Sequence, residues 1–147
     1  MVNLTLNIKK LSNSTGTPCY QTSGASGMDL CAGISEPITL QPFERKLIPT
    51  GLVIELPKGY EAQVRPRSGL SIKHGITLIN CVGTIDEDYR GELCVPLVNL
   101  SQVPYTIQPA ERIAQMVICA VAKVEIVCVD ELSATERGAG GFGSTGK

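Results

Sequence analysis

Apolar and polar residues alternate at Val2, Leu4, Leu6 and Ile8, the period of a strand with one buried face. Short runs rich in Val, Ile and Leu recur at 27–32, 37–40, 45–48, 52–56, 60–65, 76–79, 93–100, 104–107, 112–121 and 124–129. Turn signals separate them, among them Pro42, Pro49-Thr50-Gly51 and Pro57-Lys58-Gly59. Many short strands at regular spacing predict an all-β sandwich or barrel.

One segment breaks the rhythm. Residues 66–75, Pro-Arg-Ser-Gly-Leu-Ser-Ile-Lys-His-Gly, predict a single short helix with Ser68 as its N-cap and Gly75 just past its end. A loop of Ser, Thr and Gly spans 12–26, and from Glu136 onward the chain is glycine-rich with no apolar period. The expected organisation is one β domain over 1–135 and a flexible C-terminal arm over 136–147.

Composition narrows the picture. A chain of 147 residues suffices for one domain with a real core. With no Trp, two Phe and four Tyr, that core is expected to consist of Val, Ile, Leu, Ala and Cys. A net charge of −1 offers no field for nucleic acid or an anionic membrane, so neither is an expected partner. No apolar run approaches a membrane span. The six cysteines form no Cys-x-x-Cys pair and His74 is the one histidine, which excludes zinc spacing. Cys81, Cys94, Cys119 and Cys128 sit in apolar runs and are expected to behave as small core hydrophobes. The start lacks a signal-peptide pattern, so a reducing, cytoplasmic setting is expected, with a nuclear or organellar one left open.

The stretch Asn80-Cys81-Val82-Gly83-Thr84-Ile85-Asp86-Glu87-Asp88-Tyr89-Arg90-Gly91-Glu92 concentrates the chemistry. Its four carboxylates repel one another and call for a cation or a reaction that needs a fixed base; a solvated turn between two strands is the alternative. Arg67-Ser68-Gly69 offers a guanidinium, a hydroxyl and helix-start N–H groups to an anion, or is simply a capped turn with a surface arginine. Arg112 and Gln115 in an apolar strand, and Asp29 between Met28 and Leu30, need partners. An Asp29–Arg112 pair and a ligand role are equally open.

In the tail, Gly141 to Lys147 fits the first seven positions of a phosphate-binding P-loop, but no Ser or Thr follows the lysine and no helix can, so that reading is rejected. Arg137, Ser144, Thr145 and the glycines still suit a phosphate, and Phe142 suits a stacked base; a solubilising tail is the alternative. His74 is expected at the surface, and no nucleophilic triad can be assembled. Separate anion donors with isolated carboxylates suit metal-assisted attack of water on a phosphate ester.

Five segments in order resemble the motifs of the homotrimeric all-β deoxyuridine triphosphatase (dUTPase) family: Ser26-Gly27-Met28-Asp29-Leu30-Cys31-Ala32; Pro66 to Ser71 with Gly75-Ile76; Asn80 to Gly91; Glu111-Arg112-Ile113-Ala114-Gln115; and Arg137 to Gly146. The resemblance implies a distorted jelly-roll β-barrel that hydrolyses dUTP to dUMP and pyrophosphate with Mg²⁺, keeping uracil out of DNA and supplying dUMP for dTMP synthesis. It implies that Asp86 activates the attacking water. Asn80, Gly83, Thr84 and Ile85 would read the uracil edge, and Tyr89 would pack under the deoxyribose. Arg67, Ser68, Gly69 and Gln115 would hold phosphates, while Asp29 would meet hydrated Mg²⁺ through water or brace Arg112. The arm would close over the ligand, Phe142 stacking on uracil and Arg137, Gly143, Ser144 and Thr145 gripping the γ-phosphate. A homotrimer with shared sites is implied. Ser71, Thr84 and Pro109-Ala110-Glu111 depart from the usual pattern, the last replacing a glycine turn.

Two alternatives stand beside this reading. A dCTP deaminase on the same fold would need an acid/base set aimed at the pyrimidine ring, which the sequence lacks. A nucleotide-binding regulator without turnover is opposed by the intact Asp86, Tyr89, Arg137 and Phe142.

Overall fold

The computed structural model describes residues 4–143, so the start of the first expected strand, and Ser144 and Thr145, lie outside the described residues. The elements are β1 (Asn7–Lys10), β2 (Met28–Cys31), β3 (Ile38–Leu40), β4 (Arg45–Glu55), β5 (Tyr60–Arg65), α1 (Ser68–His74), β6 (Ile76–Leu78), β7 (Gly83–Ile85), β8 (Glu92–Asn99), β9 (Tyr105–Ile107) and β10 (Arg112–Ala120). They form two four-stranded sheets, β1-β4-β8-β6 and β2-β10-β5-β7, and a small β3-β9 pair. Every pairing is antiparallel. No two consecutive strands are neighbours in a sheet, because the chain crosses between layers instead of folding into hairpins. The result is the jelly-roll-like all-β fold that the strand pattern and the resemblance together predict.

One apolar core lies between the layers. β2 turns Met28 and Leu30 inward and Asp29 and Cys31 outward, and β5 likewise buries Ala62 and Val64. β8 adds Leu93, Val95 and Leu97, and β10 adds Ile113 and Met116. Each such large side chain is worth about 1.5–3 kcal/mol when fully buried. Asn99 is also fully buried, and every polar atom is satisfied: Nδ2 donates to the Leu40 and Val103 carbonyls (3.1 and 2.8 Å), and Oδ1 accepts from Ser101.

Several expectations need correction. None of the cysteines is buried, and the core uses Leu, Ile, Val, Ala and Met instead. Cys94, between buried Leu93 and Val95, shows why: a strand sends alternate residues to opposite faces, and an apolar neighbourhood in sequence does not fix the face. Pro49-Thr50-Gly51 does not separate two strands. It is an irregularity inside the eleven-residue β4, where Gly51 adopts φ 72°. Residues 124–129 form no strand; Val124, Ile126, Val127 and Val129 are exposed, because no strand among the described residues pairs with them. Arg67, with extended backbone, is the N-cap of α1. Ser68 is the first helical residue, and no side chain caps the helix. Gly75 ends it as expected, at φ 69°.

Candidate active site

The acidic stretch joins β6 to β8, which are paired in one sheet, and its middle is captured as β7 by the other sheet. The crossing parts Glu92 from Asp86, Glu87 and Asp88, which line one cavity. Glu92 turns its Oε1 to the Gly51 amide (2.8 Å) and Asn13 Nδ2 (3.0 Å). Glu87 accepts the Gly59 amide at 2.6 Å and lies 3.4 Å from Lys123; the amide above all, with the lysine, holds its carboxyl below the usual range. Arg90 caps the Glu87 and Tyr89 carbonyls and reaches Glu55. Asp86 is exposed, and among the described residues its carboxylate takes part in no ion pair. It opens onto a cavity of about 330 Å³ beside Tyr60, Glu61 and Lys123. Of four acidic groups, two are tied into the framework, and Asp86 and Asp88 are left without a side-chain partner among the described residues.

Gly83 is buried against Val64 and the Asn80 amide, and a Cβ there would stand 3.3 Å from Asn80 Nδ2. Thr84 is exposed and Ile85 half-buried. The Tyr89 amide closes a turn onto the Asp86 carbonyl (3.1 Å), and Tyr89 Oη donates to the Glu92 carbonyl (3.1 Å). Asn80, Gly83, Thr84, Ile85, Asp86 and Tyr89 are therefore carried by one crossing segment.

A second cavity, of about 400 Å³, lies between β2, β10 and α1. Asp29, with only 15% of its side chain exposed, receives Arg67 Nε at 3.2 Å and Arg112 Nη1 at 3.1 Å. One carboxylate between two guanidiniums leaves a net positive charge, so the cavity suits an anion. The expected Asp29–Arg112 pair is present, and Arg67 is its third member. Arg67 Nη1 also donates to the Arg112 carbonyl (2.9 Å), and Gln115 Nε2 to the Pro66 carbonyl (3.0 Å). Gln115 is thus half-buried and paired, and its Oε1 faces Gly27 so closely that a Cβ there would lie 2.6 Å away. Ser68 and Gly69 are exposed on the cavity wall. The seven-residue α1 is too short to add much dipole, which leaves anion binding to the side chains.

With both Asp29 oxygens facing guanidiniums, this carboxylate fits Mg²⁺ only through water. No group of three His, Cys, Asp or Glu among the described residues could hold a metal. β2, which carries Asp29, and β7, which leads into Asp86, are opposite edges of one sheet, three strand spacings or roughly 14 Å apart, and the two cavities share no lining residue. Nor are Arg137, Phe142 and Gly143 brought to either place: Arg137 Nε bonds the nearby Gly140 carbonyl (2.8 Å), and Phe142 and Gly143 are exposed. Glu92 thus serves pairing, as expected of it, whereas sequence reasoning missed Tyr105 as a framework residue, since its partner Glu111 depends on a turn geometry that spacing does not encode.

An antiparallel β fold with an arginine-lined anion cavity and a separate bare carboxylate defines an all-β protein fitted to a phosphate-bearing ligand. The family model described as dUTPase matches residues 13–146, and the chain belongs to that family. It is 58% identical to the deoxyuridine 5'-triphosphate nucleotidohydrolase of Cytophaga hutchinsonii, covering 99% of this chain and 95% of the relative. It is 57% identical to that of Finegoldia magna, over 93% and 97% of the two chains. Among solved structures, a Staphylococcus bacteriophage 80alpha dUTPase with dUPNHPP superposes with a TM-score of 0.88 at 29% identity, over 97% of this chain and 99% of that one.

Proposed function

We infer that the protein is a dUTP nucleotidohydrolase that converts dUTP to dUMP and pyrophosphate. The observation that carries this reading is the contrast between two aspartates. Asp29 is neutralised by Arg67 and Arg112 in an anion cavity, while Asp86 has no ion-pair partner within the segment that carries Asn80 and Tyr89.

In this reading Asp86 takes a proton from water as its oxygen attacks the α-phosphorus. The bond from that phosphorus to the bridging oxygen breaks, and pyrophosphate leaves. Arg67 and Gln115, with Ser68 and Gly69, hold the phosphates, and Arg112 adds charge. Asn80 and the backbone of 83–85 read uracil in a slot without spare room beside Gly83, and Tyr89 packs against the deoxyribose. The carboxylates fit a Mg²⁺ that arrives with the phosphates and meets Asp29 through water; when bound, it neutralises phosphate charge. A phage phi11 dUTPase structure is described as coordinating a structural Mg(II) ion.

The protein acts as a homotrimer with shared sites. Two features support this: the anion cavity and the cavity beside Asp86 share no lining residue, and the exposed Val124, Ile126, Val127, Val129 and Leu132 would be covered by another copy. Arg137, Phe142, Gly143, Ser144 and Thr145 complete the site as the arm, 136–147, closes over the nucleotide.

The test is to incubate the purified protein with dUTP or dCTP and Mg²⁺, measuring pyrophosphate and ammonia separately. Pyrophosphate from dUTP without ammonia is expected. Ammonia from dCTP would make it a deaminase, and binding without either product would make it a regulator.

A further inference from the structure

The anion cavity has two walls, and they are fastened at both ends. One wall is Arg67, Ser68 and Gly69 at the start of α1; the other is Arg112 and Gln115 on β10. At the cavity the walls are joined by Arg67 to the Arg112 carbonyl and by Gln115 to the Pro66 carbonyl. The second fastening lies at the far end of the helix. The His74 ring packs against Tyr105 with centroids 4.9 Å apart and planes tilted by 47°. Tyr105, on β9, donates its hydroxyl to Glu111 Oε1, and the other Glu111 oxygen accepts the Gln108 amide at 2.8 Å. Glu111 immediately precedes Arg112. Contacts therefore run without a gap from the last residue of α1 to the first residue of β10.

The helix needs such a fastening. Seven residues are too few to be stable alone, and only Leu70 of α1 is buried. Burial first, and then Glu111, push the Tyr105 hydroxyl far above its ordinary ionisation range, so it remains a donor at every working pH. A small tilt of α1 would change the spacing between Arg67 and Arg112, the two guanidiniums that must match one polyphosphate.

We propose that His74, Tyr105 and Glu111 form a positioning brace that holds α1 against β10 and so sets the spacing of the guanidiniums across the polyphosphate cavity. None of the three touches the ligand. The proposal rests on the phosphate reading of that cavity.

Tyr105→Phe is the cleanest probe, since it keeps the ring against His74 and removes the hydroxyl. Expected is a rise in KM for dUTP of about three- to tenfold, the worth of one lost hydrogen bond, with kcat changed less than about twofold. Inhibition by inorganic tripolyphosphate, at fixed free Mg²⁺, weakens by the same factor. His74→Ala raises KM similarly, while His74→Phe, which restores a ring, does not. Unchanged KM and tripolyphosphate inhibition in Tyr105→Phe would overturn the brace, as would equal losses in His74→Ala and His74→Phe. Failure of tripolyphosphate to compete with dUTP in the unaltered enzyme would instead overturn the phosphate assignment itself, and the brace with it.

Discussion

The ring of Tyr89 lies across Gly91, so close that a Cβ on the glycine would stand 3.0 Å from Tyr89 Cε2 and nearer still to the phenol end. The ring cannot simply slide away, because its hydroxyl is held by the Glu92 carbonyl and the Glu92 side chain is anchored to Gly51 and Asn13. Gly91→Ala therefore displaces the tyrosine proposed to sense the sugar. The expected result is a loss of dUTP over UTP preference, in kcat/KM, of about tenfold or more. Steady-state kinetics on both nucleotides checks it, and an unchanged ratio would take Tyr89 out of that role.

Asp86 has no ion-pair partner among the described residues, so changing it to Asn removes a base without breaking an ion pair. Asp86→Asn is expected to lower turnover by at least ~10²-fold while the fold and the affinity for a non-hydrolysable dUTP analogue persist. Calorimetric titration alongside pyrophosphate release separates the two quantities. Undiminished turnover would assign the base elsewhere.

The turn before β10 carries a measurable strain. Ala110 sits at φ 61°, with its amide on the Ala32 carbonyl at 3.0 Å, where the family's usual pattern has glycine. An L-residue held left-handed costs about 1–2 kcal/mol, and glycine gives back about 0.5–1 through its greater entropy loss. Ala110→Gly should therefore stabilise the fold by roughly 0.5–1 kcal/mol, raising Tm by a few degrees. A melting temperature that stays level or falls would mean the turn is not strained.

That turn also shows where sequence reading succeeds and stops. The departure from a glycine turn was visible at Pro109-Ala110, and only coordinates could say that alanine had taken the glycine's backbone conformation. Apolar runs bounded by turn signals placed β2, β5, β8 and β10 to within a residue or two. The same signal failed at 124–129, since an apolar run measures a willingness to be covered and carries no information about whether this chain supplies the cover. The same limit governs the site. Residue types named Asp29, Arg112 and Gln115 as polar groups in need of partners, and their partners proved to be Arg67 and the Pro66 carbonyl. That Asp29 on β2 and the segment leading into Asp86 lie at opposite edges of one sheet follows from strand order, which hydrophobic patterning does not encode.

Glu87 gives the fold a pH-dependent tie. The Gly59 amide first, and Lys123 after it, depress its carboxyl in the folded state below the ordinary glutamate range. A depressed carboxylate contributes stability that is full above the unfolded pKa and disappears as pH falls through the folded one. Glu87→Ala should therefore melt below the unaltered protein at neutral pH, and the gap should close on acidification below about pH 4. Thermal melts of both proteins from neutral to acid test this; a gap that widens in acid would reverse the assigned sign.

The arm should be dispensable for folding and required for activity. In the described part, Arg137 bonds the Gly140 carbonyl, the Gly138 amide bonds the Thr135 hydroxyl, and Phe142 is fully exposed, so none of these contacts reaches the β sheets. Removing residues 136–147 should leave the circular dichroism spectrum, the melting temperature and the oligomeric state unchanged. It should also remove the phosphate grip proposed for Arg137 and the base stacking proposed for Phe142. Stacking of one base on an aromatic ring is worth about 1–3 kcal/mol, so kcat/KM for dUTP should fall by at least about tenfold. Full activity in the shortened protein would show that the nucleotide is closed over by something else. Dissociation of the oligomer would show that these residues hold subunits together.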